Sequence, residues 1–123
     1  MGAILLRDVT VGDQRKDILI GQGRIRRIGP AGSCADWQIA GDVEMMDCSG
    51  KVAIPGFVNM HTHSPMSLMR GIGEDMLFHA WLDKIWKVEE HLDHDFVYWG
   101  TKVACLEMIR TGTTTFNDQY WFF

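Results

Sequence analysis

The chain has 123 residues, of which 46% are hydrophobic and 23% charged, and a formal net charge of −4. That balance supplies enough apolar side chains for a core and too few charges for disorder, and its mild acidity gives no electrostatic footprint for nucleic acid. No apolar run approaches the roughly 20 residues of a membrane span, and the N-terminal run Met1-Gly2-Ala3-Ile4-Leu5-Leu6-Arg7-Asp8 has neither a basic region nor a cleavage pattern, so no membrane partner is expected.

In chain order, residues Ile4 to Val11 form the first strand candidate, and Gly12-Asp13-Gln14-Arg15 supplies turn chemistry before the apolar run Ile18-Leu19-Ile20. Gly21-Gln22-Gly23 reads as a tight reversal into Arg24 to Ile28, which predicts antiparallel strands with one wet face. Arg24, Arg26 and Arg27 belong to that solvated face rather than to an anion site, since Asp8, Asp13 and Asp17 lie nearby in sequence. Gly29 to Ser33 reads as a loop. Trp37 to Ala40 and Val43 to Asp47 are short strand candidates around Gly41-Asp42, and Lys51 to Ile54 leads onward. Cys34, Cys48 and Cys105 are an odd set without C-x-x-C spacing, which points to small buried thiols kept reduced in the cytoplasm.

Residues Pro55 to His63 read P-G-F-V-N-M-H-T-H, an apolar run ending in two histidines one residue apart. Residues i and i+2 of a strand share a face, so His61 and His63 aim two imidazoles at one point while Thr62 faces away. Two converging neutral imidazoles suit a divalent transition metal, zinc above all.

From Gly71 the period changes. Leu77, Trp81, Leu82, Ile85 and Val88 recur at spacings of three and four, a helical stripe with Glu74-Asp75 ahead of it as a start signal. Phe96, Trp99, Val103, Leu106 and Ile109 make a second stripe, with Asp95 as its N-cap, Arg110 in its last turn and Gly112 just beyond. Thr113 to Phe116 has the β-branched content of a strand. Strand, helices, strand is the order that a βα unit of a parallel sheet requires. His79, His91 and His94 have no paired ligand spacing and read as surface or cap residues.

The segment from Asp47 through His63 closely resembles the entry to the metal-dependent barrel of the amidohydrolase superfamily. Upstream, Ile18-Leu19-Ile20, Gly23-Arg24-Ile25 and Ile28-Gly29 resemble the small β-sandwich that precedes that barrel. Downstream, Ser64-Pro65-Met66-Ser67-Leu68-Met69-Arg70-Gly71, Trp81-Leu82, Ile85-Trp86, Glu107-Met108-Ile109 and Gly112 to Phe116 are similar to the branch holding 5-methylthioadenosine/S-adenosylhomocysteine deaminases and the triazine chlorohydrolases. The resemblance implies an α/β fold in two parts: residues 1–54 as a partial β-sandwich and residues 55–123 as the N-terminal part of a (β/α)8 barrel. A complete barrel takes about 250 residues, so the chain has room for about two of the eight strand-helix units.

The resemblance further implies one bound Zn2+ or other divalent metal, held by His61, His63 and ligands from later strands, and hydrolytic deamination of an adenosine-type nucleoside by metal-activated water. No catalytic acid is expected within this chain, and the complete enzyme is expected to be a homo-oligomer. In the family branch a glutamate shortly after the Ile-Trp pair contacts the ribose hydroxyls, a role suited to a carboxylate facing a vicinal diol. Counting from Ile85-Trp86 selects Glu89, and counting from Trp81-Leu82 selects Glu90; two exposed acids at a helix end is the alternative. Trp99 and Met108 read as core, while Trp86 and Met66 are divided between core and the wall of a nucleoside pocket. The competing readings are a triazine- or guanine-type heterocycle hydrolase, an inactive fragment or interaction module, and a small structural metal module, the last disfavoured because no further ligands stand at a usual spacing.

Overall fold

The computed structural model describes residues 2–120. The chain divides into two compact units, Met1–Pro55 and Gly56–Phe123.

The first unit is a four-stranded sheet of β1 (Ala3–Val11), β2 (Gln14–Gly21), β3 (Arg24–Pro30) and β4 (Val43–Asp47), in the order β3-β2-β1-β4. The two-residue reversals at Gly12-Asp13 and Gln22-Gly23 make β1-β2 and β2-β3 antiparallel hairpins. β4 departs from the all-antiparallel expectation and runs parallel to β1, from Ala3 opposite Val43 to Arg7 opposite Asp47. Parallel neighbours need a crossover, and the segment after β3, with its 3-10 turn Ser33–Asp36, provides it. Trp37 to Ala40 forms no strand: Trp37 is buried, with its ring against Gly29 and under the Arg27 guanidinium, so this stretch lies over the sheet instead of joining it.

Val9, Ile18 and Cys48 form the core of this unit, with Leu6, Val11, Ile20 and Ala53 packed against it. The pairing of β1 with β2 slips between Leu6 and Val9, where Asp8 takes a positive φ of 61°. Asp17, 1% exposed, holds this bulge: its carboxylate accepts from the Asp8 amide at 2.9 Å and from the Cys34 amide at 3.0 Å. A buried acid is tolerable when both oxygens are so occupied. The Cys34 thiol is raised above its ordinary range, first by hydrogen bonding to this carboxylate, then by burial and by the carboxylate's charge. The three arginines singled out on β3 are exposed.

The second unit runs β5 (Phe57–Thr62), a 3-10 segment (Ser64–Met69), α1 (Phe78–Glu89), α2 (His94–Arg110) and β6 (Thr113–Asp118), with β5 and β6 parallel. α1 begins after Leu77 rather than at Glu74-Asp75, and Asp75 has a positive φ of 57°, outside helical space. The N-cap of α2 is Asp93, not Asp95: its side chain accepts from the Phe96 amide at 2.8 Å. Asp93 has the extended backbone that a cap needs. Gly112 (φ 90°) ends α2 and turns the chain into β6. α2 lies so close to the 3-10 segment at Gly100 that a Cβ there would collide with the Pro65 backbone. Arg70, just past the 3-10 segment, adds a forked ion pair to Glu107 of α2.

Trp99, expected in the core, is 56% exposed and packs edge-on against Tyr98, with the Lys102 ammonium over both rings. His79 and His94 are exposed, and His91 caps the end of α1 through the Lys87 carbonyl. Among the described residues no helix is long and apolar enough to cross a membrane.

Candidate metal and substrate site

β5 carries Phe57, Val58 and Met60 up to His61, and its pairing with β6 is irregular between Asn59 and Thr62. Such a bulge re-aims the side chains beside it. Side chains stand in for the interrupted ladder here: the His61 amide donates to Asn59 Oδ1 at 3.2 Å, and Asn117 Nδ2 donates to the Met60 carbonyl at 3.3 Å. Beyond Thr62 the chain leaves the strand at His63, which heads the 3-10 segment.

The result is convergence. His61 Nε2 and His63 Nε2 lie 3.3 Å apart, with the ring planes at 86°. A tetrahedral zinc with Zn–N bonds of about 2.0–2.1 Å puts two of its nitrogens about 3.3 Å apart, so this spacing fits two corners of such a site. His63 Nδ1 is 2.6 Å from the Gln119 carbonyl oxygen. A carbonyl can only accept, so Nδ1 carries the proton and the neutral ring keeps its Nε2 lone pair for a metal. Among the described residues no group of three or more His, Cys, Asp or Glu is placed to hold a metal, so a metal bound by these two side chains would need further ligands.

The turn from His63 is fixed by the end of β6. Asp118 accepts from the Ser64 amide at 2.9 Å and from the Ser64 hydroxyl, which also meets Thr101 Oγ1 at 3.1 Å. The Gln119 amide donates to the Thr62 carbonyl at 2.8 Å, extending the pairing by one bond past the strands. Asp118 and Gln119 therefore hold His63 and the turn after it from the end of the neighbouring strand.

His63 also borders a cavity of about 430 Å³ whose other lining residues are Met66, Phe78, Trp81, Leu82, Ile85, Trp86, Glu89 and Tyr120. The walls are aromatic and aliphatic, with Glu89 as the acid among them. Glu89 is 6% exposed and its Oε1 accepts from the Tyr120 hydroxyl at 2.9 Å, whereas Glu90 is exposed and outside the cavity. Burial raises the Tyr120 phenol well above its ordinary range, with further contributions from Glu89 and from the charge of Asp118. Trp86 and Met66, divided between two readings in the sequence, both line this cavity; Met108 does not, and lies with its sulfur 4.0 Å from Asn59 Nδ2.

Asp118, Gln119 and Tyr120 were not singled out in the sequence. Their signal was positional: a polar run directly after a β-branched strand stands at the carboxyl end of that strand, and in parallel sheets ligand sites gather there.

The family described as the amidohydrolase family matches residues 52–121. The chain is 45% identical over 120 residues to a 5'-deoxyadenosine deaminase of Methanocaldococcus jannaschii, covering 97% of this chain and 28% of that protein. It is 41% identical over 129 residues to a 5-methylthioadenosine/S-adenosylhomocysteine deaminase of Moorella thermoacetica, covering 98% of this chain and 29% of the relative. Among solved structures, an adenosine deaminase from Xanthomonas campestris with bound zinc matches 98% of this chain and 29% of its own, with a TM-score of 0.72 and 29% identity. The chain thus spans less than a third of the length of these relatives.

Proposed function

Since the chain belongs to the amidohydrolase family, we propose that it is the N-terminal portion of a metal-dependent hydrolase that deaminates an adenosine-type nucleoside. The observation that carries this reading is the pairing of His61 and His63, with their Nε2 atoms 3.3 Å apart, on the rim of a cavity that also holds the buried carboxylate of Glu89. In this reading residues 1–54 are the incomplete sandwich and residues 55–123 the opening strand-helix units of a (β/α)8 barrel. Several features support it: β5 and β6 are parallel with helices between them, and the histidines stand at the carboxyl end of β5. β5 also exposes Phe57, Val58 and Met60, surface that the parallel sheet of a barrel keeps covered on both faces.

His61 and His63 would hold a divalent ion, zinc by the chemistry and spacing of the donors, with the remaining ligands coming from outside this segment. Such an ion supplies the Lewis acidity that makes water nucleophilic near neutral pH. The chain's own residues do the rest of what this segment contributes. The Gln119 carbonyl fixes the tautomer of His63, Asp118 anchors the turn that aims it, and Glu89 accepts hydrogen bonds from the sugar hydroxyls. Phe78, Leu82, Trp86 and Met66 enclose an apolar space that keeps water from a bound nucleoside. The three cysteines are free, as a reducing cytoplasmic compartment allows, and assembly of identical complete subunits belongs to the same reading.

The test is made in a full-length enzyme carrying this segment. His61→Ala and His63→Ala are each expected to lose bound zinc, measured by elemental analysis, together with ammonia release from adenosine, 5'-deoxyadenosine and 5-methylthioadenosine. Full metal content with undiminished turnover in either variant would refute the assignment. Turnover confined to a triazine or guanine would keep the metal site and replace the substrate class.

A further inference from the structure

Glu89 sits in an awkward place for a free carboxylate. It lies at the end of α1, almost fully buried, in a cavity whose remaining walls are largely apolar, and neither of the ion pairs among the described residues reaches it. What it has is the Tyr120 hydroxyl, 2.9 Å from Oε1. Tyr120 comes from a different element, the residues just past β6, and lines the same cavity.

We propose that Tyr120 is the positioning residue that sets the plane of the Glu89 carboxylate, and so fixes the preference for substrates bearing two adjacent hydroxyl groups; this rests on the nucleoside reading above. The terminal torsion of a glutamate is broad and roughly twofold, so the carboxylate plane is weakly determined by the side chain itself. A hydrogen bond from a rigid phenol determines it. Of the about four lone-pair directions on a carboxylate, Tyr120 occupies one on Oε1, which leaves Oε2 and the second direction of Oε1 for a ligand's donors. A vicinal diol presents two such donors at fixed spacing, and both are met only when the plane is held. A 2'-deoxy sugar presents one, and a single donor can follow a rotating carboxylate. Held protonated by burial and by its acidic neighbours, the phenol acts as donor throughout the neutral range.

The bond acts on binding and not on the reacting atoms, so the signature is a split between KM and kcat. In a full-length enzyme carrying this segment, Tyr120→Phe is expected to raise KM for the riboside about tenfold, the factor for one hydrogen bond of ordinary strength, with kcat within about twofold. KM for the 2'-deoxy analogue should move by less than about threefold, zinc content should stay at the wild-type level, and adding Tyr120→Phe to Glu89→Gln should change the riboside KM by less than about twofold, since both remove one coupled unit. If Glu89→Gln erases the discrimination between the two sugars and Tyr120→Phe leaves it intact, the positioning role is overturned and the nucleoside reading stands. If Glu89→Gln leaves the discrimination intact, both are overturned. Should Tyr120→Phe fail to fold, the ultraviolet difference titration of wild type against Glu89→Gln decides: a phenol that ionises at lower pH in the variant supports the contact, and an unchanged titration overturns it.

Discussion

Glu89 and Glu90 are adjacent, chemically alike and separated by burial. Counting residues from two landmarks gave two registers for the sugar contact, because local sequence carries no record of which side of a helix end meets a cavity. The packing of α1 does: Glu89 follows Ile85 at four residues and shares its buried face, while Glu90 points to solvent. The expected outcome is that Glu89→Gln weakens riboside binding by about 1–3 kcal/mol, the range for a charge-assisted hydrogen bond, and that Glu90→Gln changes it by less than about 0.5 kcal/mol. Inhibition constants for a riboside analogue and its 2'-deoxy counterpart make the comparison. A loss of sugar discrimination in Glu90→Gln alone would move the register by one. The histidine pair was legible for a simpler reason, since H-x-H in an extended chain places both rings on one side whatever surrounds it. The carbonyl that orients His63 was not, because Gln119 lies 56 residues away and acts through its backbone.

At the scale of elements, local chemistry located the C-terminal end of α2 and misplaced the starts of both helices. Gly112 after Arg110 marked the end of α2, and the structure ends it there. The sequence reading put the N-cap of α2 at Asp95, and backbone geometry places it at Asp93, so Asp93→Ala is expected to cost about 1 kcal/mol and Asp95→Ala no more than the smaller helix-dipole contribution, measured by thermal unfolding. The parallel placement of β4 beside β1 was not legible, because strand partners are chosen by the whole unit and the residues of β4 suit either direction. The same holds for the clasp between the 3-10 segment and α2. Arg70, hydrogen-bonded to Glu107, holds that carboxyl below its ordinary range. A depressed folded-state value means that the pair's contribution is present above the ordinary carboxylate range and is lost as pH falls through the depressed value. The contribution is small because both groups are exposed. Thermal stability of wild type and Glu107→Gln should therefore differ near neutral pH and converge on acidification; a constant gap across the acid range would show that the carboxylate charge is irrelevant.

At the scale of the whole molecule, the two sheets leave apolar surface that this segment does not cover. The parallel pair β5 and β6 exposes Phe57, Val58 and Phe116, and Met60 is 71% exposed. Parallel sheets occur with both faces buried, and a two-stranded sheet is marginal by itself. In the first sheet β3 and β4 are edge strands among the described residues, and Ile25, Ile28 and Met45 are exposed on them. Open edges beside apolar side chains favour pairing with other chains. The proposed metal site is partial in the same sense, with two imidazoles where a catalytic zinc commonly has three or more protein ligands, so an ion there would be weakly held. A polypeptide limited to residues 1–123 is therefore expected to self-associate, to bind zinc more weakly than a full-length enzyme by orders of magnitude, and to release no ammonia from any nucleoside. Sedimentation velocity, zinc competition against a chelator and a coupled ammonia assay on one preparation test all three. A monodisperse monomer that unfolds cooperatively would mean that the exposed strands are stable uncovered, and metal-dependent turnover by that monomer would mean that the two histidines and the Glu89 cavity suffice for the reaction.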